Sequence, residues 1–281
     1  MNKDMSYGED YRELPMTSVR SGVIERVADD VWCQTIQIAN LCFVAAADDS
    51  WFLIDAGMPG SADEIRDAAA EVFGSDTKPR AIILTHGHFD HVGAIIELVD
   101  YWQVPVYAHA EELPFLTGTQ GYAPADTDAG GGLVSTIAFM FPNEPINLGD
   151  RVRPLSIDHT IPGLEEWRWV HTPGHTAGHI SLFRERDRLL IAGDAFVTVR
   201  QESVYSVITQ QQEISGPPRY FTADWMAARR SAQILADLHP AVAVCGHGRP
   251  MRGQALAESL QTLVAEFESI AVPPEVRSSW H

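Results

Sequence analysis

The sequence predicts an α/β fold, and three observations carry that prediction. Runs rich in β-branched and aromatic residues crowd the first quarter of the chain. Strand-like and amphipathic-helix patterns alternate after it, and several strand-like runs end in glycine beside a histidine or aspartate. The 281 residues are 45% hydrophobic and 21% charged, within the range of a globular chain able to bury a large core. Residues 22–281 are therefore expected to form a single domain behind an N-terminal extension, 1–21.

Val31 to Ile38, Leu41 to Ala47 and Trp51 to Ile54 read as an opening antiparallel meander, with Asp48-Asp49-Ser50 as turn chemistry before the last strand. Asp63 to Phe73 reads as a helix whose apolar stripe is Ile65, Ala69, Val72 and Phe73, ended by Gly74. A strand over Ala81 to Leu84 runs into Thr85, and Val92 to Tyr101 follows as a helix burying Ile95, Ile96, Leu98 and Val99. Later strands are expected at Trp167 to Val170, Ile180 to Arg184, Leu189 to Ala192 and Val242 to Cys245, with helices over Ala223 to Leu238 and Gln254 to Ile270.

Two long stretches show no clear period, 114–165 and 197–224, and read as pocket-shaping insertions. In the first, Gly130-Gly131-Gly132 suits a lid, and Phe115, Phe139, Met140 and Phe141 suit an apolar entrance or packing against the body. In the second, Tyr205, Tyr220 and Phe221 are candidate pocket walls. Trp51, Trp167 and Trp169 are expected in the core.

A net charge of −18 argues against a nucleic-acid partner, because phosphate contacts need clustered Lys and Arg. No apolar run approaches the roughly 18 residues that span a bilayer, and Met1 to Arg20 has no apolar core before a cleavage site. The three cysteines, Cys33, Cys42 and Cys245, are too few and too scattered for a disulfide framework. A cytoplasmic setting and a small-molecule substrate are the expectation, with room for a homodimer.

Chemistry concentrates in four short stretches: His86-Gly87-His88-Phe89-Asp90-His91, then His175, Asp194 and His247. Imidazole and carboxylate together suit zinc and related divalent ions, and these seven groups exceed one four-coordinate centre, so two metals are expected. Each stretch follows a strand, where open α/β sheets gather ligands. Gly87, Pro173-Gly174, Gly193, Gly246 and Gly248 permit tight turns and close approach beside the ligands. His171 and His179 lie outside the ligand pattern and read as hydrogen-bonded strand or turn histidines, or as supports for a ligand. Cys245 reads as a buried thiol.

Thr85-His86-Gly87-His88-Phe89-Asp90-His91, Thr172-Pro173-Gly174-His175-Thr176, Ala192-Gly193-Asp194 and Gly246-His247-Gly248 together resemble the metallo-β-lactamase fold superfamily. The likeness spans roughly Gly22 to Ile270 and includes Leu53-Ile54-Asp55-Ala56-Gly57. It implies a four-layer αβ/βα sandwich with a dinuclear site at the sheet edge. Carried over by position, His86, His88 and His175 would hold the first metal, Asp90, His91 and His247 the second, and Asp194 would bridge both. Asp55 would accept from a ligand imidazole and fix its tautomer.

Two divalent ions about 3.5–4 Å apart can share a water whose pKa falls towards neutrality. The expected function is therefore hydrolysis of a small ester, lactone or thioester by a metal-bridging hydroxide, with zinc the expected metal. Asp90 is the candidate catalytic residue, a ligand whose second oxygen orients the hydroxide and moves its proton. Two departures from better-known branches bear on the substrate. With 34 residues after His247, the helical domain by which glyoxalase II grips glutathione is not expected, nor is a glutathione thioester substrate, and Val197 stands where quorum-quenching lactonases place a tyrosine. The alternative readings are a mononuclear iron persulfide dioxygenase, a β-lactam or phosphodiester hydrolase of the same fold, and a metal-binding protein without catalysis.

Overall fold

The computed structural model describes residues 5–13, 16–124, 141–201 and 203–277. Gly130, Gly131, Gly132, Phe139 and Met140, expected in a lid and entrance, lie outside the described residues. The chain packs as two compact units: the described residues of Met1–Tyr122 with Pro142–Leu164, and those of Ala123–Phe141 with Glu165–His281.

The first unit is built on a seven-stranded sheet whose spatial order is the chain order: β1 (Ile24–Ala28), β2 (Val31–Ile36), β3 (Ala39–Ala45), β4 (Trp51–Ile54), β5 (Ala81–Ile83), β6 (Val106–Ala108) and β7 (Val152–Pro154). The first four form an antiparallel meander, and β4 to β7 run parallel. Parallel neighbours need crossovers, supplied by α1 (Ala62–Phe73) between β4 and β5 and α2 (Ile95–Trp102) between β5 and β6. Both helices meet the sheet at Trp51, which stacks on Phe73 at 4.6 Å and meets the Trp102 ring edge-on at 5.5 Å. Burying a large apolar side chain of this kind stabilises by about 1.5–3 kcal/mol.

Two boundaries differ from the sequence expectation for identifiable reasons. The strand expected to reach Ile38 ends at Ile36, because Ile36 pairs with Ala39 and leaves Gln37, at φ 56°, and Ile38 as a two-residue hairpin loop. The helix expected from Val92 begins at Ile95. The preceding backbone is committed elsewhere: Gly93 N–H donates to Gly57 O at 2.7 Å, Ala94 N–H to Ala56 O at 3.1 Å, and Ala56 N–H to His91 O at 2.7 Å. Only glycine fits at 93, where a Cβ would stand 2.1 Å from the Met58 carbonyl carbon.

Much of the N-terminal stretch packs on this unit. Met5 is buried, Ser6 bridges to Asn147, and Asp10 accepts from the amides of Asn143 and Glu144 at 2.8 and 3.2 Å. Tyr7 and Tyr11 stack at 4.0 Å, and the Tyr7 hydroxyl donates to Glu97. Within the 114–165 stretch, β7 adds the edge strand of the sheet, and a short helix, α3 (Leu113–Leu116), follows a 3-10 turn over Ala110–Glu112.

The second unit carries a five-stranded sheet in the order β14-β13-β10-β9-β8, made of β8 (Trp167–His171), β9 (Ile180–Arg184), β10 (Leu189–Gly193), β13 (Val242–Cys245) and β14 (Met251–Arg252). A separate ribbon pairs β11 (Val197–Val199) with β12 (Gln212–Ser215). The parallel pair β10 and β13 is joined through this ribbon, α4 (Val204–Thr209) and α5 (Trp225–Asp237). Ala228, Ala232 and Leu235 of α5 share a buried cluster with Leu256, Leu260 and Leu263 of α6 (Gly253–Ala265) and with Phe183, Leu190 and Ala243 of the sheet. The helix expected over Gln254 to Ile270 is divided, because Glu266, at φ −115° and ψ 26°, separates α6 from a further turn over Phe267–Ile270.

Trp167 and Trp169 are buried, as are Cys33, Cys42 and Cys245, which form no disulfide. Among the described residues no helix is long and apolar enough to cross a membrane.

Candidate metal centre

In the first unit the candidate ligands occupy the loop between β5 and α2, and His86, His88, Asp90 and His91 are all buried. The His86 ring lies 4.8 Å from that of His88 and 4.2 Å from that of His91, centroid to centroid. Beside them Asp55, in the turn leaving β4, is the organising group. Its Oδ1 accepts from Thr85 N–H at 2.7 Å, and its Oδ2 accepts from the Thr85 hydroxyl and from His91 Nδ1, both at 2.8 Å.

These bonds assign two tautomers. A carboxylate only accepts, so His91 carries its proton on Nδ1 and keeps a lone pair on Nε2. The Thr85 hydroxyl spends its hydrogen on Asp55 and accepts from His86 Nδ1 at 3.1 Å, which leaves His86 Nε2 with the lone pair as well. Asp55 itself sits at φ 65°, a left-handed conformation that Asp tolerates better than most residues. On the outer side of the loop the Tyr11 hydroxyl donates to Phe89 O at 3.2 Å.

The second unit presents His175 after β8, Asp194 after β10 and His247 after β13. All three are buried, and Asp194 Oδ2 lies 3.5 Å from His175 Nε2 and 3.3 Å from His247 Nε2. His175 Nδ1 lies 3.3 Å from the Thr222 hydroxyl, whose hydrogen goes to Pro218 O at 2.8 Å. His175 therefore donates through Nδ1, and its Nε2 lone pair faces the carboxylate.

The turns that carry these residues are tightly held. Gly174 adopts φ 136°, and a Cβ there would meet Ala228 N at 2.3 Å. Its carbonyl accepts from Ala223 and Asp224 at 3.0 and 2.9 Å, docking the His175 turn on the start of α5. The Thr198 backbone amide donates to His247 O at 3.1 Å and its hydroxyl to Arg249 O at 2.7 Å, and Gly246 N–H donates to Gly193 O at 2.8 Å.

His179 proves to be a support. Its Nε2 accepts from the Asp194 backbone N–H at 2.8 Å, so Nδ1 carries the proton, which points to Thr172 O at 3.1 Å. A ring used at both nitrogens in this way positions Asp194 and does not ligate. His171 donates through Nε2 to Ala177 O at 2.8 Å, closing the turn after β8. Tyr205, expected as a pocket wall, is 70% exposed on α4 and belongs to the surface. Tyr220 is buried against Phe221 and Phe141, with ring centroids 5.1 and 5.9 Å away. The contacts of Tyr11, Glu112 and Tyr122 with the ligand loop of the first unit, and of Thr222 with His175 in the second, are not legible in the sequence, since no short-range pattern ties these residues to the histidines.

The donor set fits divalent metal. His86, His91 and His175 each donate through Nδ1, so in the neutral tautomer, the form in which histidine ligates, Nε2 is the nitrogen left for a metal. Asp90 and Asp194 are buried among imidazoles, and a buried carboxylate costs several kcal/mol unless positive charge compensates it. Bound dications would supply that compensation.

The chain is similar to several known proteins. The family model described as "Metallo-beta-lactamase superfamily" matches residues 37–247. "Probable metallo-hydrolase YflN" of Bacillus subtilis (strain 168) is 47% identical over 92% of this chain and 98% of its own length. A solved structure of TTHA1623 "in a di-iron-bound form" is 29% identical over 76% of this chain and 89% of that one, with a TM-score of 0.52. A B3 metallo-β-lactamase described as the first "with an Active Site Glutamic Acid" is 18% identical and shares the fold alone, covering 93% of this chain and 97% of that one at a TM-score of 0.60.

Proposed function

The chain belongs to the metallo-β-lactamase superfamily and is a metallo-hydrolase of it, and from that premise we propose a dinuclear enzyme that cleaves a small ester, lactone or thioester. The ligands would be His86, His88 and His175 for one ion, Asp90, His91 and His247 for the other, and Asp194 for both. The carrying observation is Asp194, one of whose carboxylate oxygens lies within 3.5 Å of Nε2 of two separate histidines. A carboxylate set between two imidazoles in this way is suited to sharing its charge between two ions.

When bound, the two divalent ions would lower the pKa of a shared water and polarise the scissile carbonyl. The remaining work falls to the chain. The Asp55–His91 and Thr85–His86 bonds orient both rings through Nδ1 and leave Nε2 as the ligating nitrogen, and Thr222 does the same for His175. Asp90 is the proton carrier: its buried carboxylate accepts the proton released as water adds to the carbonyl and returns it to the departing oxygen or sulfur. No serine or cysteine nucleophile is needed. Zinc is the proposed metal, since imidazole and carboxylate suit it, while the same donors also take iron or manganese. A small-molecule substrate, a cytoplasmic location and a homodimeric assembly complete the proposal.

The test is metal content on protein purified without added metal, paired with a hydrolysis panel of esters, lactones, thioesters, a phosphodiester and a β-lactam. Two zinc ions per chain, with carboxylic ester or thioester cleavage abolished by chelation and restored by zinc, is the expected result. One iron per chain, no hydrolysis, and oxygen uptake with a persulfide would overturn it.

A further inference from the structure

Beneath the first two histidines of the ligand loop lies a buried acid paired with a half-buried phenol, which the proposed reaction does not use. Glu112, at the end of the 3-10 turn after β6, is 0% exposed. Its Oε2 accepts from Gly87 N–H at 3.0 Å, and the Tyr122 hydroxyl donates to the same oxygen. Gly87 N–H also points to the Tyr122 hydroxyl oxygen at 3.0 Å, so one amide is held by both members of the pair. The Tyr122 ring stacks on Phe115 at 4.1 Å and lies 4.4 Å from the ring of His88. A Cβ on residue 87 would stand 2.6 Å from the Tyr122 hydroxyl oxygen, which explains the glycine between the two histidines.

We infer that Glu112 and Tyr122 are positioning residues for the His86-Gly87-His88 ligand pair, tuning metal affinity at the position these two imidazoles share. The inference rests on the proposal that His86 and His88 bind a metal ion. Gly87 is the only residue between them, and its N–H belongs to the His86–Gly87 peptide, so holding that amide fixes this peptide plane and the path of the chain out of His86 towards His88. The Tyr122 ring then restrains His88 from one face.

The choice of a carboxylate is informative. A neutral amide could accept from Gly87 N–H equally well, and burying a charge costs several kcal/mol more than burying an amide. A negative charge beneath two neutral imidazoles repays that cost when a cation binds above them. The ligand loop thus has two carboxylate supports in this unit: Asp55 acts directly on His91 and through Thr85 on His86, and Glu112 acts on the His86–Gly87 peptide between His86 and His88.

The experiment is a stepwise zinc titration of metal-stripped protein against a chromophoric chelator, with cobalt(II) absorption as a reading of ligand geometry. It compares the parent chain with Glu112→Gln, Tyr122→Phe and, as a control, the exposed Asp150→Asn. Glu112→Gln and Tyr122→Phe should each weaken one of two zinc steps by about 10–100-fold and shift the cobalt spectrum, with the other step and the metal-free melting temperature close to the parent. Asp150→Asn should match the parent throughout. Two unchanged steps in both variants would overturn the inference, as would equal weakening of both steps with a lowered metal-free melting temperature, the mark of a merely structural role. A parent chain that binds no zinc would instead sink the underlying metal assignment. Tyr122→Phe keeps the ring and its stacking, so it remains informative if Glu112→Gln fails to fold.

Discussion

Asp55 Oδ2 accepts from His91 Nδ1 at 2.8 Å, with both side chains almost fully buried. The two residues come from different strand ends, and the bond settles which nitrogen of His91 can ligate. Asp55→Asn keeps the shape and tolerates positive φ, but it can present an N–H where the carboxylate had only acceptors. Affinity for one bound ion should fall by about 10–100-fold, measured by chelator competition. An unchanged affinity would mean that His91 is oriented by its packing alone.

Asp90→Asn should leave the far-ultraviolet circular dichroism of the chain unchanged and lower kcat on the best ester or thioester by about 10²–10⁴-fold, the usual worth of a positioned acid–base group. A variant with full kcat would remove Asp90 from the proton path.

Gly174→Ala should destabilise the fold by about 1–3 kcal/mol, because the new Cβ meets the α5 backbone and the residue must keep a φ that L side chains rarely adopt. The shift in urea midpoint measures it. Since His175 follows directly, zinc affinity should drop in the same variant, and a stable variant with full affinity would show that the turn can relax.

Arg184, 1% exposed, donates to Asp187 through Nε at 3.0 Å and Nη2 at 2.7 Å, with its guanidinium 4.8 Å from the centre of the Trp167 ring. Partial burial draws the Asp187 carboxyl upward, but the hydrogen bonds and charge of Arg184 outweigh it and hold the group below the usual carboxylate range. A carboxyl whose pKa is lower in the folded than in the unfolded chain adds stability above the unfolded value, about 4, and loses it as pH falls through the folded value. Asp187→Asn should therefore cost about 1 kcal/mol at pH 7, a modest figure because the side chain is 37% exposed and water screens the pair. The difference from the parent should vanish in acid, below the carboxylate range. An identical cost at pH 7 and in strong acid would assign the effect to packing.

Much of the fold is legible in local pattern. Trp51–Ile54, Ile180–Arg184 and Val242–Cys245 stand where their composition puts them, and α1 begins one residue from its expected start. The three-residue strands β6, β7 and β11 escape such reading, because two or three apolar side chains show no period. Ile24–Ala28 escapes for a different reason: its burial is incomplete at the sheet edge, and charged Glu25 and Arg26 hide the alternation.

By itself the sequence determined the chemistry. Donor type and spacing belong to the covalent chain, so His86, His88, Asp90, His91, His175, Asp194 and His247 read as a candidate metal-binding set, and their likeness to the metallo-β-lactamase motifs as a metal-dependent hydrolase, before any folding. Only the tertiary structure decided how those donors are held. Asp55 with His91, Thr222 with His175, His179 with the Asp194 amide, and Glu112 with Gly87 are separated by 36, 47, 15 and 25 positions. Hydrogen bonds of that kind depend on where sheet pairing and helix packing bring two backbones. No local preference of either partner encodes them, whereas each one fixes a proton or a peptide plane on which the site depends.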